Sequence, residues 1–261
     1  MHEDLLARVF VNQWMVLLVV TLVLVALGEA GFRIGFAARL RDKDLAEGHS
    51  GTVQGAVLGM LGLLLGFSFA MAVQRLDNRR SLTVDEANAI GTTWLRTDFL
   101  KEPLRNEARE MLRRYVGIRL EVDHLDDGDD FSKLVAESTG IQNRLWEIAK
   151  ISAAEKPDDI TASFVETLND TIDLQSSRIA ARRNHVPSAV WLLLLAVAGC
   201  GAWSSGYGSG ASGHRSAFSQ IVFPVLIGVV ITLISDLDRP RRGLIGVSQQ
   251  PMRELLESMK P

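Results

Sequence analysis

Long uncharged runs alternate with one charge-rich stretch along this chain. Residues 9–28, 50–74, 186–213 and 216–235 contain no Asp, Glu, Lys, Arg or His, whereas most of the charge falls between 75 and 185. A helix rises about 1.5 Å per residue, so about 20 apolar residues cross a hydrocarbon core of about 30 Å. The pattern therefore predicts four membrane helices, at 9–28, 51–73, 188 to about 203, and 217–235. Trp14 stands near one end of the first, where an amphipathic ring favours the membrane interface. A signal peptide is the poorer reading of that run, because Glu3 and Asp4 stand where a basic cluster belongs and the run outlasts a signal core of about 7–15 residues. Pro187 suits the first position of the third helix, where no N–H is needed.

Between 75 and 185 the apolar period is helical. Leu104, Ala108, Met111, Tyr115 and Ile118 recur at steps of four and three, and so do Leu134, Ser138, Ile141, Leu145 and Ile148. Ile160, Phe164, Leu168 and Ile172 form a third stripe, and each set lies on one helix face. Pro103, the Asp-rich run 123–130 and Pro157 separate the stripes, since proline and Gly/Asp clusters end helices. The expected fold is an all-α integral membrane protein: two membrane helices in 1–74, a cytoplasmic helical region in 75–185, two more membrane helices in 186–235, and a cytoplasmic tail in 236–261.

Composition agrees with the pattern. Of 261 residues 47% are hydrophobic, which excludes a disordered chain, and the uncharged runs exclude a uniformly soluble one. A net charge of -3 without a basic block leaves no footprint for nucleic acid. The single cysteine, Cys200, allows neither an intrachain disulfide nor a cysteine zinc site.

Orientation follows from Lys and Arg near the segment ends. With the N-terminus inside, the cytoplasmic flanks hold Arg8, Arg75, Arg79, Arg80, Arg178, Arg182, Arg183, Arg239, Arg241 and Arg242, against Arg33, Arg39, Arg41, Lys43 and Arg215 outside. The balance puts both termini and the helical region in the cytoplasm, although the first outer loop carries four of the five opposing charges.

The second membrane segment holds the most informative pattern. Gly51, Gly55, Gly59, Gly62 and Gly66 fall within an arc of roughly 80° at 100° per residue. Each glycine in a helix costs about 1 kcal/mol relative to alanine, so five on one side point to close backbone approach, within a subunit or between copies, or to a face lining a narrow pore. Pro224, Gly228, Thr232 and Ser235 repeat the idea in the fourth segment. No proline or glycine interrupts the chain from Val73 to Gly91, so the second helix continues into the cytoplasmic region. On that continuation Arg75, Arg79, Arg80, Asp85, Glu86 and Asn88 are candidates for a vestibule wall or subunit contact. Asp236 and Asp238 beyond the fourth segment suit a salt-bridged cap better than a cation site, because calcium wants about six to eight oxygens.

Other signals carry no chemistry. The Gly208-x-Gly210-x-x-Gly213 spacing has no preceding strand and no βαβ context, and reads as a flexible loop. The acidic run 123–130 lacks the ligand spacing of an EF-hand. His2, His49, His124, His185 and His214 are scattered, and no P-loop, nucleophile elbow or zincin motif occurs. No metal, cofactor or enzyme activity is indicated.

Two blocks, RLDNRRSLTVDEANAIGTTWLR at 75–96 and DLDRPRRGLIGVSQQ at 236–250, resemble the bacterial bestrophin-like domain family, distant relatives of bestrophin anion channels. The resemblance covers about 10–255. It implies a pentamer with four membrane helices per subunit, a pore lined by the second helix, and an apolar neck near Phe67 and Phe69. These two phenylalanines differ by about 200° around the helix, so only one can face an axis squarely, and the glycine arc leaves the choice open. The long acidic calcium-binding run of animal bestrophins is absent apart from Asp236 and Asp238. The expectation is a homo-oligomeric ion channel of the bacterial inner membrane, passing small inorganic ions and embedded in the lipid bilayer. The rival reading is a non-conducting membrane scaffold or sensor that holds a partner through its cytoplasmic helices.

Overall fold

The computed structural model describes residues 13–41, 50–125, 128–215, 218–239 and 245–259. His2, Glu3, Asp4, Arg8, Lys43, His49, Pro240, Arg241 and Arg242 lie outside the described residues, as do the starts of the first and fourth expected segments. Among the described residues every element is helical: α1 (Gln13–Arg41), α2 (Ser50–Arg96), α3 (Leu104–His124), α4 (Asp129–Glu155), α5 (Asp159–Arg183), α6 (Ser188–Ser212), α7 (Phe223–Asp238) and α8 (Gln250–Ser258). Four stretches, carried by α1, α2, α6 and α7, are long and apolar enough to cross a membrane. Leu18, Leu22 and Leu192 are exposed on them, a state that lipid accepts and water penalises.

The chain divides into two compact units, Met1–Leu76 with His185–Gly246, and Asp77–Asn184 with Val247–Pro261. The first carries the apolar spans and the second most of the charge. The end of the tail belongs to the charge-rich unit, because Met252 and Met259 are fully buried in that unit's core.

In the membrane unit α1 packs on α6 through glycines. A Cβ on Gly31 would collide with the Trp203 carbonyl oxygen, one on Gly35 with that of Tyr207, one on Gly206 with that of Gly28, and one on Gly210 with that of Phe32. Backbone thus touches backbone, and the dispersion gained over the seam offsets the helix penalty of each glycine. Contacts climb together along both helices, so α1 and α6 run parallel. Gln54 reaches Ser205 at 3.4 Å while Leu58 and Leu61 face Gly201, so α2 runs antiparallel to α6. Gly228 of α7 meets Thr21 and Leu17 of α1 as Arg215, just before α7, pairs with Glu29, so α7 runs antiparallel to α1.

This seam corrects one expectation: Gly206 to Ser212 is not a flexible loop but the last two turns of α6. The helix stops at Gly213, whose φ of 75° needs a residue without a side chain. Pro187 stands one residue before the helix, which begins at Ser188, and makes no side-chain cap. Likewise α1 continues past Glu29 to Arg41.

The charge-rich unit is a helical cluster whose core joins Ile90 of α2, Ala108, Leu112 and Tyr115 of α3, Leu145 and Ile148 of α4, and Phe164 and Leu168 of α5. The three periodic stripes are its inner faces, with one departure. Ile160 is exposed, and the buried side of α5 runs instead through Thr161, Phe164, Thr167, Leu168, Thr171 and Gln175. The polar members are tolerated there because they bond inside the core: Thr171 shares a hydrogen bond with Thr93 at 3.2 Å, and Gln175 accepts one from Tyr115 at 2.7 Å.

Candidate functional site

Helix α2 is continuous over 47 residues, as the absence of breakers required. It buries one narrow face. In the membrane unit that face is Leu61, Leu65, Ser68, Ala72 and Leu76; in the charge-rich unit it is Arg79, Thr83, Glu86, Ile90, Thr93 and then Thr97, with steps of three and four throughout. The glycine arc lies about 100° away from the buried stripe. A Cβ on Gly55, Gly59, Gly62 or Gly66 would meet nothing within 4 Å. The close packing inferred from these glycines is therefore not made inside the subunit, where the seam of Gly28 to Gly35 on Gly206 to Gly210 holds the helices together instead. That seam was not anticipated from the sequence, although glycines three and four apart in α1 and four apart in α6 marked it.

Beside the arc, Phe67 and Phe69 are both outward, 62% and 39% exposed. Phe69 follows Gly51 by eighteen residues, five full turns, and so stands in phase with the edge of the arc, whereas Phe67 lies about 80° outside it. The phase does distinguish the two.

The six polar candidates on α2 part company. Arg80 is exposed and 3.7 Å from Asp77; Asp85 is exposed and accepts from the Ser81 hydroxyl at 3.2 Å; Asn88 is exposed. Arg79 is buried and donates to the carbonyls of Ala181 and Asn184 at 3.1 and 2.8 Å, capping the end of α5 where a helix dipole favours a cation. Arg75 lies 3.6 Å from Asp238.

Glu86 is drawn entirely into the subunit's own core. Its carboxylate sits 2.9 Å from Arg119 Nε, forms an ion pair with Arg178, and lies 3.2 Å from the Tyr115 hydroxyl oxygen. Gln142 donates to Gln175 at 2.9 Å, Gln175 donates to Ser138 at 3.1 Å, and Arg178 donates to Gln249 at 3.3 Å, so the network joins α2, α3, α4, α5 and the tail. Burial, and then the neighbouring Glu86 charge, push the Tyr115 hydroxyl well above the usual phenol range. Sequence reading missed this network because its members come from helices far apart in the chain, and no local spacing announces it.

Asp236 and Asp238 are buried and engaged by the backbone. Asp238 accepts from the Val186 N–H at 3.0 and 3.2 Å, and Asp236 from the Ile245 N–H at 3.2 Å, the geometry of a cap where α6 begins and α7 ends. Among the described residues no group of three or more His, Cys, Asp or Glu side chains could hold a metal ion.

The family model of the Bestrophin-like domain matches residues 14–252. The chain belongs to the bestrophin-like family. Solved structures share the fold: one point mutant of a bacterial bestrophin homologue from Klebsiella pneumoniae is similar with a TM-score of 0.66 at 15% identity, over 90% of this chain and 97% of that one. A second point mutant of the Klebsiella homologue gives 0.65 at 13% identity over 90% and 94%. A structure described only as a membrane protein gives 0.66 at 13% over 92% and 95%. No curated protein matches the chain. This bestrophin-like protein is thus an all-α membrane protein whose α2 presents an uncovered, glycine-lined face.

Proposed function

We propose that the protein is a homo-oligomeric ion channel of the inner membrane, with copies of α2 around a central pore. One observation carries the reading: the face formed by Gly55, Gly59, Gly62 and Gly66 touches nothing in its own subunit, while another side of the same helix is buried. Glycines that cost helix stability and pack on nothing at home need a use outside the subunit, and a narrow lumen or a neighbouring copy supplies one. The family resemblance favours five copies. Phe69, in phase with the arc, is the candidate neck residue, and an apolar ring there can gate by dewetting. Arg80 and Asp77 pair with each other, so neither sign dominates the exposed part of α2 next to them, and the permeant species is a small inorganic ion of either sign. The parallel α1 and α6 with antiparallel α2 and α7 fit an up-and-down bundle of four spans, and the Lys/Arg bias favours the cytoplasm as the side from which α1 enters.

Ion flux from liposomes containing purified oligomer, measured across a KCl gradient, tests the reading. A current with a defined reversal potential is expected. Silent liposomes with folded oligomer present would replace the channel with a non-conducting scaffold.

A further inference from the structure

The last turns of α1 carry a surface separate from the glycine face of α2. The 29 residues of α1 from Gln13 to Arg41 rise about 43 Å, more than the hydrocarbon core of about 30 Å, so the last turns of the helix pass out of the core into the headgroup layer. One side of this segment, with Gly31, Phe32 and Gly35, is buried on α6. The other side mixes charge with grease: Arg33, with 77% of its side chain exposed, stands among Ile34, Phe36 and Leu40, which are 53%, 42% and 74% exposed. Leu40 is out of place in water and Arg33 is out of place in hydrocarbon. Together they fit the boundary, where apolar stems lie against acyl chains and guanidinium groups reach the phosphates.

The guanidinium groups are ordered in advance. Glu29 Oε1 accepts from Arg33 Nε at 2.8 Å and from Arg215 Nη2 at 3.1 Å, and Arg215 also lies over the Phe32 ring at 4.7 Å. One carboxylate thus holds two exposed arginines side by side, each with further N–H groups to offer. Arg39 packs over Gly213, and its Nη1 is shut off from solvent without a hydrogen-bond acceptor. With Arg41 the group carries four cations against one anion. Among the described residues of the membrane unit the other carboxylates are Asp236 and Asp238, which are buried and held by backbone N–H groups.

We propose that Arg33, Arg39, Arg41 and Arg215 bind the headgroup of an anionic phospholipid, with Ile34, Phe36 and Leu40 against its chains. Arginine suits this ligand because its planar fork meets two phosphate oxygens at once. The site also explains why the first outer loop keeps basic residues against the orientation bias.

The test compares phosphatidylglycerol, phosphatidylcholine and inorganic phosphate added to the detergent-purified protein, reading Tm and the lipids retained in native mass spectra. Phosphatidylglycerol alone should raise Tm and remain bound, and added salt should weaken both effects. Arg33→Gln with Arg215→Gln should abolish the phosphatidylglycerol-specific shift while leaving the lipid-free Tm and oligomer size unchanged. Should that pair fail to fold, the exposed Arg41→Gln variant should reduce the shift on its own. Equal shifts from both lipids, a shift reproduced by inorganic phosphate, an undiminished shift in the variants, or loss of the oligomer in Arg41→Gln would each overturn the proposal.

Discussion

Asp158 shows how one side chain both starts a helix and ties stability to pH. Its Oδ1 accepts from the Thr161 N–H at 2.8 Å as the N-cap of α5, and its Oδ2 lies 2.9 Å from Lys156. The Lys156 ammonium, and then the capping N–H, lower its pKa from 3.8 to about 2. A depressed carboxylate pKa contributes stability that is complete above 3.8 and is lost as pH falls from there toward 2. Asp158→Asn should keep the cap but flatten the fall of Tm across that window, and Asp158→Ala should lose both; identical pH profiles for wild type and Asp158→Asn would refute the linkage. Adjacent acids can meet opposite fates. Glu86 is sealed between Arg119 and Arg178, whereas Asp85 faces outward. Removing one partner of a buried ion pair costs about 3–5 kcal/mol, because the other charges stay buried. Glu86→Gln should therefore unfold at markedly lower denaturant concentration, while Asp85→Asn stays within about 0.5 kcal/mol of wild type. Similar midpoints for the two variants would remove the network from the account of stability.

At the level of elements, glycine has two different roles in the membrane helices. Gly31 and Gly206 hold α1 to α6 at backbone distance, so Gly206→Ala must push the helices apart and should cost about 1–3 kcal/mol of subunit stability. Gly59 has open space where its Cβ would go, so Gly59→Ala should leave the subunit as stable as before, and Gly59→Leu should act on oligomer size or conduction instead. Equal loss of Tm in Gly206→Ala and Gly59→Ala would merge the two roles. The distinction marks the limit of what the sequence discloses. The four spans, the unbroken α2 and the inner faces of α3, α4 and α5 were legible in uncharged runs and apolar period, because those patterns record burial directly. The partner of a glycine face is not recorded in its own period, so the arc on α2 left open packing at home, packing between copies and a pore lining, and the seam between α1 and α6 went unnoticed. The Glu86 network was hidden for a related reason: Arg119, Arg178 and Gln142 sit on three helices, and only the fold makes them neighbours.

For the whole molecule, the two compact units place different demands on the surroundings, one exposing leucines and the other ion pairs such as Arg144 with Glu107 at 2.7 Å. If the charge-rich unit is cytoplasmic, a Lys150→Cys label site in a Cys200→Ser background should be shielded from an impermeant thiol reagent in intact cells and react after lysis. Labelling from outside would invert the topology and return Arg33, Arg39 and Arg41 to the favoured side. Conduction is the sharper test, because it depends on how copies meet. Phe69 shares the phase of the glycine arc and Phe67 does not, so around an axis lined by that arc Phe69 forms the constriction. Its replacement by alanine removes an apolar ring, lowers the dewetting barrier and should raise single-channel conductance. Phe67, 62% exposed in the subunit, has little packing of its own to lose. If it faces a neighbouring copy, Phe67→Ala should weaken the oligomer and leave the conductance of the surviving channels unchanged. The opposite pattern, with Phe67→Ala raising conductance and Phe69→Ala loosening the assembly, would rotate α2 about its axis and move the glycine arc from the lumen to the subunit contact. No change of flux in either variant, with both still assembled, would take the neck away from this helix and leave the scaffold reading in its place.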